Sequence, residues 1–514
     1  MLQKLNNLRL PIGYNESDIK ASIRKKIGDY EYIKLDKLSL DCRRKNDIHY
    51  NASVVVNGKV NPKLLVEYIP KKTSCSELKY SGIKKIKNPI VIGSGPSGLF
   101  CALVLAENGL NPIIFERGDS VENRREKVNI FSCGRSLDEN TNIQFGEGGA
   151  GTFSDGKLNT GISSEYISIV LNEFVKHGAF SNILYDSKPH IGTDVLQNVV
   201  KSMRLYIEKL GGKFYFNTKV DSVIIEGGKV RGVIANNEKF FTDNIVLACG
   251  HSARDTIRML YDLGVNMEAK SFAVGMRVEH KQEMLDIAQY GKVYDNLPPS
   301  DYKLSHRLSN GKGCFTFCMC PGGYVVPAMS EEFTVVTNGM SEQRRDNKFC
   351  NSAVLVGVDP SDYGSKVLDG FAFQEKIEKL AYNVAKNYSA PSILVKDFIS
   401  GNKSKCLDSI ETSYTRGLAS STMENVLPKF VLDGMREGLV AFGKKVRNFD
   451  KEGVLIGVES RSSSPVRVLR GENYMSNIEG LYPAGEGAGY AGGITSSAVD
   501  GIKVALKLIE NNRK

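Results

Sequence analysis

Pro89-Ile90-Val91-Ile92-Gly93-Ser94-Gly95-Pro96-Ser97-Gly98 opens the part of the chain that decides its architecture. The apolar run before the glycines reads as a short, fully buried parallel strand. Leu99 to Glu107 reads as a helix, stopped by Asn108-Gly109. A second apolar strand, Pro112-Ile113-Ile114-Phe115, ends on Glu116. Together these segments make one βαβ unit with Gly-x-Gly-x-x-Gly between strand and helix, the arrangement that binds a dinucleotide. Gly93 allows the tight turn, Gly95 lets the backbone approach a pyrophosphate, and Gly98 lets the helix pack on the strand. The N-terminus of this helix presents free N–H groups and a partial positive charge to the phosphates, and Pro96 and Ser97, in the turn before it, are candidate cofactor contacts. Glu116 is placed to accept hydrogen bonds from the adenosine ribose, and a carboxylate there disfavours a 2′-phosphate. Arg117 and, on the segment after it, Arg124 or Arg125 are candidates for the phosphates or the adenine side; Arg125 is preferred, against an ordinary ion pair on a helix surface.

Working outward, Phe145-Gly146-Glu147-Gly148-Gly149-Ala150-Gly151-Thr152 is a loop whose backbone N–H groups can wrap an anion. Asp194 to Leu210 reads as a long amphipathic helix. Short alternating strands follow at Lys213–Val220, Val223–Ile225, Val230–Ala235 and Lys239–Phe241. Ile245–Ala248 is another buried strand, running into Cys249-Gly250. Far downstream, Gly480–Glu486 is again a strand meeting glycines, and a helix spans Ser496 to Glu510. Between 266 and 468 the texture changes to alternating strands such as Phe272–Glu279 and Thr334–Thr337 with long helical stretches. Residues 1–85 contain a helical stretch at Ile19–Ile27, alternating segments at Tyr32–Leu40 and Ile48–Val56, and a helix-like Asn61–Tyr68, before a charged linker, Lys84–Asn88. The expectation is an α/β protein of four segments: a small N-terminal α+β domain (1–85), a Rossmann-like FAD-binding domain (86–265), an inserted α+β substrate domain (266–468), and the C-terminal part of the discontinuous FAD domain (469–514).

One fingerprint alone does not separate FAD from NAD. The downstream segments favour FAD, because Glu486 can hold a ribityl chain and the following helix N-terminus can face the flavin pyrimidine edge, where negative charge develops on reduction. Pro89–Glu116, Phe145–Gly156, Pro189–Asp194, Ile245–Ser252 and Leu481–Gly501 resemble the FAD-dependent dehydrogenases often labelled NAD(FAD)-utilising, within the glutathione-reductase-like flavoproteins with two dinucleotide-binding motifs. The resemblance implies noncovalent FAD. It also implies contacts to it from Gly148, Gly149, Gly151, Thr152, Val220, Ala248, Cys249, Gly250, Gly485, Glu486, Gly493 and Ile494. Glu486 stands where many relatives have aspartate, and Cys249 where threonine is usual.

Four residues are candidates for the chemistry. His190, in Lys188-Pro189-His190-Ile191-Gly192-Thr193-Asp194, is a candidate acid or base. Thr193 or Asp194 in the same segment makes a suitable helix N-cap. Cys318 belongs to Cys314-x-x-x-Cys318-x-Cys320. Structural zinc would need four ligands, and a redox pair normally has two residues between its cysteines, so small apolar side chains beside the flavin remain the plainest reading. Arg461 and Arg467, in Gly457–Arg467 just before the chain returns to the FAD domain, could bind an anionic substrate through paired N–H donors. Arg277 and His280 are weaker candidates of that kind.

The 68 basic and 58 acidic side chains give a net charge of +10, with the two signs interleaved and no basic block with aromatics between, which argues against a nucleic-acid partner. No run approaches the apolar length of a membrane span, the start of the chain lacks a signal-peptide core, and the ten cysteines are scattered. The chain is therefore expected in the cytoplasm, with no metal and no membrane. The expected function is an FAD-dependent oxidoreductase. It would move hydride through flavin N5 to or from a small, anionic substrate, with NAD(P)H as a transiently docked donor because no second dinucleotide fingerprint appears. An RNA-modifying flavoprotein and a non-catalytic flavin redox sensor are the alternatives.

Overall fold

Ile90–Ile92 lies at the centre of a five-stranded parallel sheet, with the order Leu481–Pro483, Ile245–Leu247, Ile90–Ile92, Ile113–Phe115, Lys213–Tyr215. The computed structural model describes residues 2–58, 64–81, 86, 88–291, 296–404, 407 and 409–513. Parallel pairing places connections on both faces of the sheet, so its inner strands are apolar all round, and Ile90, Val91, Ile245, Val246 and Leu247 are fully buried. On one face lie the helices Pro96–Glu107, Tyr166–Lys176, Thr193–Lys209 and Ile494–Asn511. The other face carries an antiparallel meander, Val220–Glu226, Lys229–Ala235 and Glu238–Phe241, with the helix Arg254–Asp262.

The segment expected as one strand, Lys213–Val220, divides. Lys213–Tyr215 is the edge of the parallel sheet, the chain turns at Asn217 with φ 50°, and Val220 starts the meander. Two glycines set how closely the first helix approaches its neighbours. A Cβ on Gly98 would lie 1.9 Å from the Gly93 carbonyl oxygen, and one on Gly501 would lie 2.1 Å from that of Ser97. Gly98 therefore seats the helix on its own turn, and Gly501 lets the C-terminal helix cross it.

A second, seven-stranded sheet runs in the order Ser305–Arg307, Gly313–Cys320, Phe349–Val358, Phe272–Lys281, Val454–Glu459, Ala390–Leu394, Leu418–Ser420. The helices Lys429–Gly443, Asp369–Asn383 and Gln282–Tyr290 contribute to its core. The strand expected at Thr334–Thr337 starts at Thr337 instead, and Thr337–Met340 pairs antiparallel with Tyr324–Pro327. The chain passes from the first sheet to the second and back along one antiparallel ribbon, Met267–Ala269 beside Val466–Val468.

The N-terminal segment is a four-stranded antiparallel sheet, Glu31–Asp41, His49–Asn57, Leu2–Leu10, Leu65–Glu67, covered by the helix Glu16–Ile27. Asn15 and Asp18 close that helix start as a reciprocal capping box. Two sequence readings are corrected here. The helix expected over Asn61–Tyr68 is a strand at Leu65–Glu67, and residues 61–63 lie outside the described residues, as do 84, 85 and 87 of the linker. The strand Leu2–Leu10 escaped notice because a bulge between Leu5 and Leu8 breaks the alternation. Leu5, Leu8 and Leu10 are all buried, a spacing that no regular strand produces. Among the described residues no helix is long and apolar enough to cross a membrane.

Gly501→Ala is expected to lower stability by about 1–3 kcal/mol through overpacking. Gly161→Ala, whose Cβ meets nothing within 4 Å, should stay within about 0.5 kcal/mol of the parent. Urea unfolding midpoints of the two variants give the comparison.

Candidate active site

Two helix N-termini open into one cavity of about 570 Å³ that runs from the Gly93–Gly98 turn to the second sheet. Gly95 precedes the helix Pro96–Glu107 and Gly493 precedes Ile494–Asn511, and neither helix has a side-chain cap. Uncapped helix starts leave N–H donors and a partial positive charge facing the cavity, a ready site for an anion at each end.

At the first end the glycines form a cradle. Gly93, with φ 98°, passes so close to Ala248 that a Cβ would lie 2.4 Å from its carbonyl oxygen. Gly149, with φ 65°, brings the glycine loop against Gly95, where its Cβ would be 3.0 Å from the Gly95 Cα. The hydroxyl of Ser97 is buried beside this cradle without a hydrogen-bond partner. Glu116 lines the cavity, yet its carboxylate already accepts from Ser94 N, Ser94 Oγ, Gly118 N and Gly146 N at 2.7–3.0 Å. Three of these donors are backbone N–H groups and the fourth is the Ser94 hydroxyl. Arg117 lies over the Phe145 ring at 4.3 Å and donates to Asp255 and Thr256.

The choice of Arg125 is corrected. Arg125 is exposed on the helix Val121–Ser132, whereas Arg124 is fully buried. The Arg124 guanidinium donates to the carbonyls of Asn142, Ile143, Gly146, Glu147 and Gly149 at 2.7–3.2 Å. Burial lowers its pKa to about 10 despite the nearby Glu116 and Glu147 carboxylates, so it remains a cation at neutral pH. Gly148 and Thr152 sit behind the lining in this same loop. A Cβ on Gly148 would strike the Thr152 hydroxyl, and Thr152 O accepts from Thr193 Oγ1 at 2.6 Å. Thr193 is thereby turned away from capping its own helix. Gly192 takes the N-cap position, and Asp194 accepts from Gln343 N instead.

At the second end, Gly151 packs on Ile494 beside Gly493 and Glu486; Ala248 and Cys249, against Gly93, join Val220 and Gly250 in the rest of the lining. Gly485 lies behind Ser97, and its N–H donates to Asp500 at 2.8 Å. Burial pushes the Cys249 thiol up to about 12, so it is neutral. His251, which the sequence reading passed over, lines the cavity with Nδ1 3.2 Å from Glu486 and a buried Nε2 that has no partner.

The second sheet supplies the remaining wall. Cys318, at φ 42° in a bulge, opens its side chain onto the cavity, and Cys320 lines it too. Cys314 points the other way, against Gly438 of a covering helix. Although its side chain is exposed to the cavity, desolvation by the surrounding walls raises Cys318 to about 12 against the opposing Arg277 charge, so the thiol is not an activated nucleophile. Arg277, fully buried, donates to Glu459 at 2.8 Å, to Asn351 at 2.7 Å and to Cys318 O. Arg461 reaches the lining, but its guanidinium forms a double contact to Glu378 at 2.8 and 3.0 Å, and Arg254 holds the same carboxylate from the other side. The two arginines outweigh burial and hold the Glu378 carboxyl far below its ordinary range. Arg467 is outside the cavity, on the ribbon opposite Glu268. His190 is also outside, its Nε2 donating to Gln343 O at 2.9 Å, and burial with the nearby Arg345 lowers its pKa. His280 donates to Phe449 O away from the site, and burial lowers its pKa to about 4. Among the described residues no three His, Cys, Asp or Glu side chains are grouped to hold a metal.

Comparison with known proteins gives two family matches: "FAD-dependent protein, C-terminal domain-like" over residues 271–462 and "FAD dependent oxidoreductase" over residues 196–316. An uncharacterised protein of Clostridium beijerinckii is 43% identical over 99% of both chains. The chain belongs to the FAD-dependent oxidoreductases. FAD is the cofactor of this oxidoreductase. Its cavity fits that group, with two uncapped helix starts, an unpaired Ser97 hydroxyl and glycines whose side chains would fill the cradle. A further relative, the probable electron transfer flavoprotein-quinone oxidoreductase YdiS of Escherichia coli, is 28% identical over 31% of the flavoprotein and 36% of its own chain. The glycerol-3-phosphate dehydrogenase of Bacillus halodurans, solved with FAD, covers 85% of this oxidoreductase and 68% of its own chain at 12% identity and a TM-score of 0.36. The assignment rests on the two family matches.

Arg124→Ala strips five carbonyls of a buried cation. It is expected to destabilise the flavoprotein by about 3–5 kcal/mol and to release FAD. Arg125→Ala should change either quantity little; thermal melts and the flavin-to-protein absorbance ratio of the two variants test this.

Proposed function

We propose that the cradle of Gly93, Gly95, Ser97 and Gly149 holds the FAD pyrophosphate, and that Glu116 and Arg117 flank the adenosine. On this reading Glu486 and the helix start at Gly493 and Ile494 meet the flavin end, and the substrate lies between that end and the strands Gly313–Cys320 and Val454–Glu459. The observation that carries this reading is the single cavity shared by two uncapped helix starts and the second sheet. Bound FAD supplies two-electron transfer at N5. The protein contributes orientation, an enclosed site and a buried carboxyl able to handle a proton.

That group is Glu459, which sequence reading overlooked although it stands two residues before Arg461. It lines the cavity at the end of its strand, 4% exposed, with Oε2 held by Arg277 and Oε1 outside the ion pair. Burial raises its pKa, and Arg277 offsets only part of that rise. A carboxyl that ionises closer to neutrality is suited to exchange a proton with substrate. His190 and Arg467 have no part in the site, and Cys318 contributes shape rather than nucleophilicity.

The narrower reading, a dehydrogenase of the NAD(FAD)-utilising kind with NADH or NADPH docking transiently, is tested by the visible spectrum of the purified protein under anaerobic addition of each nucleotide. Bleaching by either one is expected; a flavin spectrum that neither nucleotide changes removes the nicotinamide from the proposal. With whichever donor bleaches the flavin, a base whose carboxyl pKa is raised makes turnover fall as pH drops through that pKa. Glu459→Gln should abolish this acidic limb and slow turnover by roughly 10²–10⁴-fold. An unchanged pH profile would remove Glu459 from the mechanism.

A further inference from the structure

The Lys157 ammonium donates no hydrogen bond within the protein, and its ion pair with Asp155 is long. Its Nζ is buried, and the nearest carboxylate oxygen, on Asp155, is 3.6 Å away. That carboxylate is already engaged by the Arg345 guanidinium and the Ser341 hydroxyl. Buried ammonium groups without an acceptor are costly and rare in folded proteins, so one facing a cavity points to a missing acceptor.

The position is built into the fold. Leu158 N donates to Pro189 O and Ile191 N to Gly156 O, which pins the segment as a short bridge. Leu158 O accepts from Thr495 Oγ1 at 2.8 Å, tying Lys157 to the first turn of the C-terminal helix. Gly156, at φ 67°, approaches Gly192 so closely that a Cβ would lie 2.8 Å from its nitrogen. Lys157 thus stands where the helix start and the Cys318–Cys320 wall meet. Lys303 also lines the cavity, and Lys188 does so while paired with Asp301. The arginines expected to bind an anion do not compete, since Arg461 is held by Glu378 and Arg467 lies elsewhere.

We propose that Lys157 is the anion-accepting group of the substrate end, supported by Lys303, and that the substrate is an oxyanion, either a small carboxylate or a phosphate ester. This rests on the reading of the cavity as the flavin and substrate site. A point-like ammonium suits either anion without demanding the two-pronged geometry an arginine would impose.

The test titrates oxalate and, separately, inorganic phosphate into the FAD-loaded protein, followed by calorimetry and by the flavin difference spectrum. Saturable binding of at least one anion is expected, and the tighter of the two names the carboxylate or phosphate class. Lys157→Met should weaken it at least tenfold, Lys157→Arg should retain most of it, and Lys507→Met, on the exposed C-terminal helix surface, should leave it unchanged. The proposal is overturned if neither anion binds or if Lys157→Met binds as tightly as the parent. It is equally overturned if Lys157→Met shifts the flavin spectrum without anion while anion affinity stays the same, because the ammonium then serves the cofactor. Should the protein prove colourless and unable to take up FAD yet still bind the anion through Lys157, the flavin reading fails and the anion site stands.

Discussion

A single guanidinium organises the cofactor side of the molecule. Arg124 fills the inside of the 142–149 loop and answers five of its carbonyls, which a glycine-rich segment cannot satisfy by forming a helix or a strand. Held in that shape, the loop brings Gly149 against Gly95 and supplies the Gly146 N–H that reaches Glu116. The dinucleotide turn and the glycine loop are therefore one device. The turn provides a helix dipole, the loop closes over it, and the cost of keeping so much backbone in left-handed conformations is met by charge-assisted hydrogen bonds from one buried side chain.

A second buried charge cluster joins the two large sheets. Glu378, on a helix covering the second sheet, is held between Arg254 of the first unit and Arg461 of the return crossing, with Ser460 adding a third donor. An ion cluster of this kind stabilises little relative to an apolar contact, since both partners lose their water. What it does provide is geometry. Its partners must be satisfied together, so it fixes how the second sheet meets the first, and with it the place of Glu459 on the cavity wall.

The dinucleotide turn was legible because its grammar is local. Strand, glycines, helix and terminal carboxylate follow one another within a few turns of chain, and Gly98 is demanded by the Gly93 carbonyl just before it. The same holds for most strands of the parallel sheet and for the two helices after the glycines, read from Leu99 and Ser496 and found to start earlier, at Pro96 and Ile494. Local reading failed where a residue's partner is remote. Nothing near Arg124 or Arg125 says which faces inward; the carbonyls of residues 142–149 decide it. Arg461 looked like a free anion binder until Glu378 arrived beside it, and Thr193 looked like a cap until the Thr152 carbonyl took its hydroxyl. Glu459 and Lys157 carried no signal beyond their chemistry, since an acidic residue at a strand end and a lysine after a glycine are ordinary surface features.

Hydrophobic period, glycine position and helix-start chemistry act between residues a few positions apart, so the cofactor class and the parallel sheet could be read directly from the chain. Which charges face the cavity and which are already neutralised emerged with the fold. That outcome depends on pairings between residues far apart in sequence, such as Arg277 with Glu459 and Arg461 with Glu378, and a charged side chain is free to bind a ligand only when no such partner has reached it first.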